Sequence, residues 1–197
     1  MKNQSLNDYD NDQEYNIENI EGGLEELFLR ELKDMLWAEE ALVDALPDMA
    51  DAATDPDLAD AIEDHLAQTE EHVERLEEIF ELLEIEPETK KCIAMKGLIE
   101  EAKHIMNKMD EGPVRDAAII AAAQKVEHYE IASYGTLRTY AAILGYGDIQ
   151  EILEETLMEE KDADELLSEI ADSINIDAAV ESMDDQEREY EYEEEGR

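Results

Sequence analysis

The sequence predicts an all-α fold, a bundle of four long helices. Apolar residues recur at three- and four-residue steps through the middle of the chain, which is the spacing of one buried helix face. Turn-forming residues divide this region into four long segments, and a stretch of about 30 residues separates the second segment from the third. Apolar residues make up 43% of the 197, which is enough for one packed domain.

The first two long helices are predicted to form a hairpin. The apolar stripe of the first helix consists of Leu32, Met35, Leu42, Leu46 and Met49. Thr54-Asp55-Pro56 ends this helix and begins the next, because a capping side chain precedes a proline at the first helical position. The stripe of the second helix consists of Leu58, Ile62, Leu66, Val73, Leu76 and Phe80.

A long crossover follows the first hairpin. Pro87 and Lys90-Lys91-Cys92 break the second helix, and a shorter amphipathic helix is predicted for about 93–109. Gly112-Pro113 begins the third long helix, which ends at Gly145-Tyr146-Gly147. Asp148 can cap the fourth long helix, which is expected to end near Ile174, with Asn175 as the stop.

The two hairpins are similar to each other in sequence. A shift of 91 positions places Leu46 on Leu137 and Leu66 on Leu157, although helical periodicity alone produces some of these matches. Two hairpins joined by one long crossover occur in ferritin-like folds. The predicted fold class is therefore all-α, a ferritin-like four-helix bundle with a short extra helix in the long crossover between the second and third long helices.

The chain is strongly acidic. It has 57 Asp and Glu against 15 Lys and Arg, which gives a formal net charge of −42. Residues 1–23 and 181–197 are predicted to be disordered acidic tails with net charges of −5 and −7, so −30 belongs to the predicted bundle at 24–180. We expect neither nucleic acid nor a membrane as partner, because nucleic acid and anionic lipid bind clustered Lys and Arg.

The composition predicts a cytoplasmic protein. The N-terminal segment is polar and lacks the apolar core of a secretory signal, and no apolar run approaches the roughly 20 residues of a membrane span. The lone Cys92 cannot form an intrachain disulfide, which fits a reducing compartment. The excess of acid favours adaptation to a salty cytoplasm, because salt screens the repulsion within an acidic shell. An ordinary but extreme acidic surface is the alternative.

Acidic and histidine side chains interrupt the apolar stripes at one height of the predicted bundle. Two residues of a hairpin lie level when their mean position falls on the turn. Glu130 and Glu160 average 145, Glu127 and Asp164 average 145.5, and Glu39 and His72 average 55.5. A buried charge is costly unless it is paired or bound to a metal ion. The candidate metal ligands are therefore Glu39, His72, Glu127, Glu130, Glu160 and Asp164.

This arrangement predicts a carboxylate-bridged dinuclear metal site inside the bundle. Carboxylates with one or two imidazoles suit iron or manganese. In a chain with so many acids, several of them can also reach the stripes by chance. His65 shares the stripe of the second helix, and we interpret it as a satisfied core histidine rather than a ligand.

Several segments resemble the YciF/YciE family of ferritin-like proteins. Residues 113–137, PVRDAAIIAAAQKVEHYEIASYGTL, carry the most specific likeness. The segments at 27–50, 65–83, 90–102 and 155–171 are similar to the family's other helices and to its crossover. The resemblance covers about 24–180 and implies a rubrerythrin-like bundle, a homodimer and a metal-binding stress protein. It also implies that the five acids among the candidate ligands occupy positions typical of the family.

The chain departs from the pattern of di-iron proteins, which use Glu-x-x-His on the second and fourth helices. Here the same spacing gives Thr69-x-x-His72 and Glu160-x-x-Ala163. The predicted site is therefore asymmetric, and one ligand would be water, Thr69 or absent. For the same reason, the sequence does not match the ligand pattern of a full ferroxidase.

The leading hypothesis for function is a dinuclear iron or manganese site that oxidises Fe(II) with peroxide or oxygen. Glu39 and Glu130 would bridge or chelate the two ions. Glu127, Glu160 and Asp164 would complete one ion, and His72 would bind the other. Tyr134, one turn beyond Glu130, is either a hydrogen-bond donor to these ligands or an ordinary core tyrosine.

The alternative is a non-catalytic bundle that acts by binding a partner. Its buried acids would be protonated or paired with Lys125, Lys161 or Arg75. A mineral-storing cage is a third and weaker candidate. Cys92 follows two lysines, which could lower its pKa and favour a redox role, whereas a partly buried structural thiol is the simpler interpretation.

Overall fold

Five helices make up the computed structural model, which describes the backbone of residues 23–195 and the side chains of residues 23–181. They are α1 (Leu24–Ala52), α2 (Pro56–Leu82), α3 (Ile93–Lys108), α4 (Pro113–Leu144) and α5 (Gly147–Glu195). No strand occurs within the described residues. The prediction of an all-α, ferritin-like four-helix bundle with a short helix in the crossover is therefore confirmed.

The four long helices form two hairpins that pack on each other. α1 packs on α2, α4 packs on α5, and the hairpins meet where α1 contacts α4 and α2 contacts α5. The short helix α3 lies against α1 and α4. Apolar stripes from all five helices fill the core, whose largest fully buried side chains include Phe28, Leu32, Phe80, Met95, Ile119 and Leu137.

The turn between α1 and α2 is held by two carboxylates. The side chain of Asp55 accepts hydrogen bonds from the amides of Asp57 and Leu58, and Pro56 takes the first helical position, as predicted. The buried carboxylate of Asp116, in the first turn of α4, accepts from the amides of Thr54 and Asp55 at 2.8 and 2.9 Å. α2 and α4 therefore begin at the same end of the bundle.

The turn between α4 and α5 is short because Gly145 takes the left-handed conformation, with φ 85°. α5 begins at Gly147, so Asp148 lies inside its first turn instead of before it. The prediction that the fourth helix ends near Ile174 is wrong, because α5 continues through Asn175 to Glu195. No Gly or Pro interrupts 175–195, and one Asn does not stop a helix that nothing else breaks. Residues 1–22 of the predicted tail 1–23 lie outside the described residues. In the second predicted tail, 181–197, the described backbone of 181–195 is helical instead of disordered.

The crossover is fixed by Cys92. Its sulfur accepts a hydrogen bond from the amide of Met95 and lies 3.0 Å from the hydroxyl of Tyr129 in α4. Burial raises the pKa of the thiol, which favours the structural interpretation over the alternative of a redox thiol activated by the preceding lysines. Cys92 is a buried structural thiol that caps α3. None of the helices described has an apolar stretch long enough to cross a membrane.

Candidate metal centre

Four glutamates lie inside the bundle at one height. Glu39 comes from α1, Glu127 and Glu130 from α4, and Glu160 from α5, and none is more than 3% exposed. Each sits on the apolar stripe of its helix, so the packing that buries the stripe also buries the carboxylate. Among the described residues, no Lys or Arg forms an ion pair with any of the four. Protons, imidazoles or metal ions must therefore balance their charge.

Two histidines of α2 face these carboxylates. The Nδ1 atom of His72 lies 3.0 Å from Oε1 of Glu160 and 3.8 Å from Oε2 of Glu39. The Nε2 atom of His65 lies 3.5 Å from Oε1 of Glu127. The two histidines are seven residues apart on α2, and their ring centroids are 6.5 Å apart. Both imidazoles thus belong to one acidic cluster.

The cluster divides into two sets of ligand atoms that share one residue. The first set is Glu39, His72 and Glu160, and the second set is His65, Glu127, Glu130 and Glu160. Within each set, one ligand atom per residue lies within 4.8 Å of all the others. Two ions could therefore be held side by side, with Glu160 available to both.

The hydrogen-bonding state of these side chains fits a metal site. Both carboxylate oxygens of Glu130, Oε2 of Glu127 and Nδ1 of His65 are buried without a hydrogen-bond partner. Leaving a buried polar atom unpaired costs roughly 1–3 kcal/mol. Oxygen and imidazole nitrogen atoms of this kind are the ligands of iron and manganese, so binding of such ions would satisfy them.

The electrostatics of the cluster follow from its burial. Burial raises the pKa of Glu127 and of Glu130 well above the ordinary value, and the neighbouring Glu160 and Glu39 raise both further. Burial alone lowers the pKa of His72, but the nearby carboxylates of Glu160 and Glu39 outweigh it and raise the pKa to about 10. Without a metal ion, the cluster therefore retains protons at neutral pH.

Two further side chains orient the ligands. The Nε2 atom of His72 lies 2.9 Å from Oε2 of Glu159, and Arg75 binds both oxygens of the same carboxylate. The hydroxyl of Tyr134, which is fully buried, donates to Oε1 of Glu39. Such contacts fix the orientation of a ligand and tune its basicity.

Comparison with known proteins identifies the family. Residues 23–180 match the family model described as Domain of unknown function (DUF892). The chain belongs to the DUF892 family. Over 149 residues this DUF892 chain is 45% identical to Protein YciF of Escherichia coli strain K12, a match that covers 75% of the chain and 90% of that protein. The resemblance to the YciF/YciE family is therefore confirmed.

Solved structures agree with the DUF892 assignment. The crystal structure of the E. coli stress protein YciF matches with a TM-score of 0.75 and 44% identity, and covers 78% of this chain and 97% of that chain. YcfI from Rhodopseudomonas palustris, provisionally described as a structural protein, matches with a TM-score of 0.73 and 40% identity, and covers 80% and 98%. A Xanthomonas campestris protein, XCC3681, shares the fold at 22% identity and a TM-score of 0.63.

The structure of this DUF892 chain brings five of the six predicted ligands together, and Asp164 is the exception. Its carboxylate is partly exposed, and Oδ1 lies 3.3 Å from the amide of Gln124 and 3.7 Å from the imidazole of His128. Asp164 belongs to neither of the two ligand sets. The residue shared between the sets is Glu160, whereas the sequence predicted that Glu39 and Glu130 would serve both ions.

His65 is the residue that sequence reasoning did not select. It lies two turns before His72 on the same face of α2, and Glu127 lies one turn before Glu130 on α4. Because α2 and α4 begin at the same end of the bundle, both displacements run towards that end. This parallel shift becomes visible only once the structure places the starts of α2 and α4 together, and it brings a second imidazole beside a second pair of carboxylates.

The remaining residues considered from the sequence lie outside the ligand sets. The hydroxyl of Thr69 donates to the backbone carbonyl of His65, so it is already satisfied within α2. Lys125 pairs with Glu101 at the surface, and Arg75 pairs with Glu159 instead of the four buried acids. Lys161 is exposed. The basic partners expected for a degenerate site therefore do not contact the cluster.

Proposed function

We propose that this DUF892 protein binds a pair of iron or manganese ions inside its bundle and uses them in the handling of iron and peroxide under stress. The observation that carries the proposal is the pair of ligand sets joined at Glu160, in which buried oxygens lack hydrogen-bond partners. The E. coli relative with 44% identity is described as a stress protein, which supports the physiological part of the proposal.

Each of the two metal ions would be held by its own set of residues. Glu39 and His72 would hold one ion, and His65, Glu127 and Glu130 would hold the other, with Glu160 between them. A bound iron pair would supply redox chemistry in which two Fe(II) are oxidised while one peroxide and two protons become two water molecules.

Protein side chains would also handle the protons of this reaction. Glu127 and Glu130 have a raised pKa and would release their protons when metal binds, because only the carboxylate form is a good ligand. Tyr134 would hold the orientation of Glu39, and Glu159 that of His72. The apolar stripes around the cluster limit the access of bulk water.

An anaerobic titration with Fe(II), followed by addition of peroxide, tests the proposal by optical spectroscopy. We expect about two Fe(II) to bind per chain and peroxide to produce the absorption of Fe(III). The variant Glu160→Gln, which keeps the size of the shared side chain, should lose most of this binding. Glu169→Gln, an exposed acid on the same helix, is the matched control and should bind as the wild type does.

One observation favours a second candidate, the non-catalytic bundle. A protonated His72 between Glu160 and Glu39, with protons on Glu127 and Glu130, would leave the cluster nearly neutral without any metal. Thermal unfolding with and without a chelator separates the two candidates. A filled site raises the melting temperature by mass action, whereas a protonated cluster is indifferent to chelator.

The homodimer predicted from the resemblance remains part of the proposal. Sedimentation velocity measures it directly, and a mass of two chains is expected. A much larger particle would favour the mineral-storing cage instead.

A further inference from the structure

We propose that divalent cations reach the buried cluster through a groove that opens between α2 and α5, an inference that rests on the proposed metal function. The groove has a volume of about 200 Å³. Asp64 and Gln68 of α2 and Asp162 and Ala163 of α5 lie along it, and it ends at Glu127 and His65.

The floor of the groove carries atoms that are suited to receive a cation. His65 is 8% exposed and Glu127 is 3% exposed, and both line the groove. Nδ1 of His65 and Oε2 of Glu127 have no hydrogen-bond partner. The other nitrogen of His65 faces the other oxygen of Glu127. An ion arriving here therefore reaches the two residues that carry these buried, unsatisfied atoms, and both residues belong to the second ligand set.

The mouth of the groove carries negative charge from both helices. Asp64 and Asp162 are exposed, and neither forms an ion pair with any described residue. A cleft lined by one sign of charge raises the local concentration of the opposite ion and can speed association by 10- to 1,000-fold. The two carboxylates would therefore draw cations towards the opening.

Ala163 keeps the groove open. It lies three residues after Glu160, which is the position of the histidine in the Glu-x-x-His pattern. Because its side chain is a single methyl group, space remains beside it for an ion with part of its water shell. A larger side chain at this position would project into the same space.

A second cavity also reaches Glu127, but it suits a cation poorly. It lies beneath α3, has a volume of about 20 Å³, and is lined largely by apolar side chains that include Leu42, Ile99 and Met106. A hydrated ion would lose water along these apolar walls and would meet no ligand before it reached Glu127. The groove between α2 and α5 also has apolar walls, such as Leu46, Ile62 and Leu167, but it is larger and is additionally lined by the carboxylates of Asp64 and Asp162.

Stopped-flow mixing of the metal-free full-length chain with Co(II) tests the route, because the visible absorption of bound cobalt reports binding without any turnover. We expect Asp64→Asn/Asp162→Asn to lower the association rate constant by about 3- to 10-fold at low salt. The absorption spectrum at saturation should not change, because neither aspartate is a ligand. Glu63→Gln/Glu169→Gln removes the same charge from exposed positions of the same helices and should keep the wild-type rate.

Ala163→Phe supplies a second, steric test, with circular dichroism to check that the bundle is folded. We expect it to slow cobalt binding at any salt concentration, whereas the effect of the aspartates should shrink as salt rises. Wild-type rates in both the double aspartate variant and Ala163→Phe would overturn the route while leaving the metal site intact. A wild-type chain that binds no Co(II) would instead overturn the proposed function, and the route with it.

Discussion

The Nε2 atom of His72 lies 2.9 Å from a carboxylate oxygen of Glu159 and thereby turns the other ring nitrogen towards the metal cluster. Arg75 binds the same carboxylate and holds it in place. Burial opposes the charge on Glu159, but Arg75 and His72 outweigh this and lower the pKa of its carboxyl. Glu159 therefore stays ionised and accepts the proton of Nε2, so Nδ1 is the nitrogen that would exchange its proton for a metal ion.

Removal of Glu159 should weaken metal binding without removing a ligand. In Glu159→Ala the imidazole loses its fixed orientation, and we expect the affinity for Mn(II) to fall by about 10- to 100-fold. Electron paramagnetic resonance of free Mn(II) measures this. Glu155→Ala is the control, because Glu155 lies 3.6 Å from the same guanidinium but does not contact His72. Equal affinities in the two variants would show that the contact with Glu159 does not orient the ligand.

The metal-free protein should lose stability as the pH rises. The pKa values of Glu127 and Glu130 are raised above 4.5 in the folded chain, so folding takes up protons that the unfolded chain has released. Their contribution is complete below pH 4.5 and is lost as the pH passes the folded values. His72 acts in the same direction, because its contribution is complete below pH 6.5 and is lost towards pH 10.

Urea unfolding of chelator-treated protein at pH 5 and pH 8 measures this dependence. Glu130→Gln removes one of the titrating groups. At pH 8 we expect its free energy of unfolding to exceed that of the wild type by about 1–3 kcal/mol, and at pH 5 we expect the difference to be smaller. Saturating Mn(II) should reverse the order at pH 8, because the variant has lost a ligand. A wild type that gains stability between pH 5 and pH 8 without metal would contradict the prediction.

Asp116 should be important for stability although it lies outside the metal cluster. Asp116→Ala leaves the amides of Thr54 and Asp55 without their partner, and we expect a loss of about 2–4 kcal/mol in the free energy of unfolding. Asp116→Asn keeps one acceptor oxygen and should lose less. The control is Asp110→Ala, which changes an exposed aspartate just before α4. Its free energy of unfolding should equal that of the wild type. A loss under 1 kcal/mol in Asp116→Ala would show that the turn does not depend on this carboxylate.

Salt should stabilise the chain. The region predicted to form the bundle has a net charge of −30, and raising KCl from 0.1 to 1 M shortens the Debye length from about 10 to about 3 Å. We expect the melting temperature to rise across this range. A triple variant reverses the charge of three exposed acids, Glu63→Lys/Glu70→Lys/Glu169→Lys. We expect it to have a higher melting temperature than the wild type at low salt and a smaller rise of the melting temperature with KCl. A melting temperature independent of KCl would indicate an ordinary acidic surface.

The height of the metal cluster along the bundle could be predicted from the sequence because both hairpin turns are short. A short turn fixes the register of the two helices it joins, so the means of Glu39 with His72 and of Glu130 with Glu160 identify neighbours across each hairpin. The long crossover has no such register. The sequence therefore does not show which part of α2 faces α4, and the pairing of His65 with Glu127 could not be predicted in this way.

The difference between Glu160 and Asp164 has a similar origin. Four residues along a helix correspond to one turn of rise and about 40° of rotation. Asp164 therefore stays close to the stripe in the sequence pattern but rotates towards the edge of α5, where Gln124 and His128 meet it. The position of such an edge depends on how closely the helices pack, and periodicity alone does not contain that information.

Cys92, whose sulfur caps α3, can be used to measure local opening of the crossover. Cys92 is the only cysteine and is 1% exposed, so a thiol reagent can reach it only when the crossover lifts away from α1 and α4. The rate at which a thiol reagent labels Cys92 under native conditions would then report how frequently the crossover unfolds locally around this residue. The wild-type chain can thus report how often this side of the bundle opens, with no introduced label.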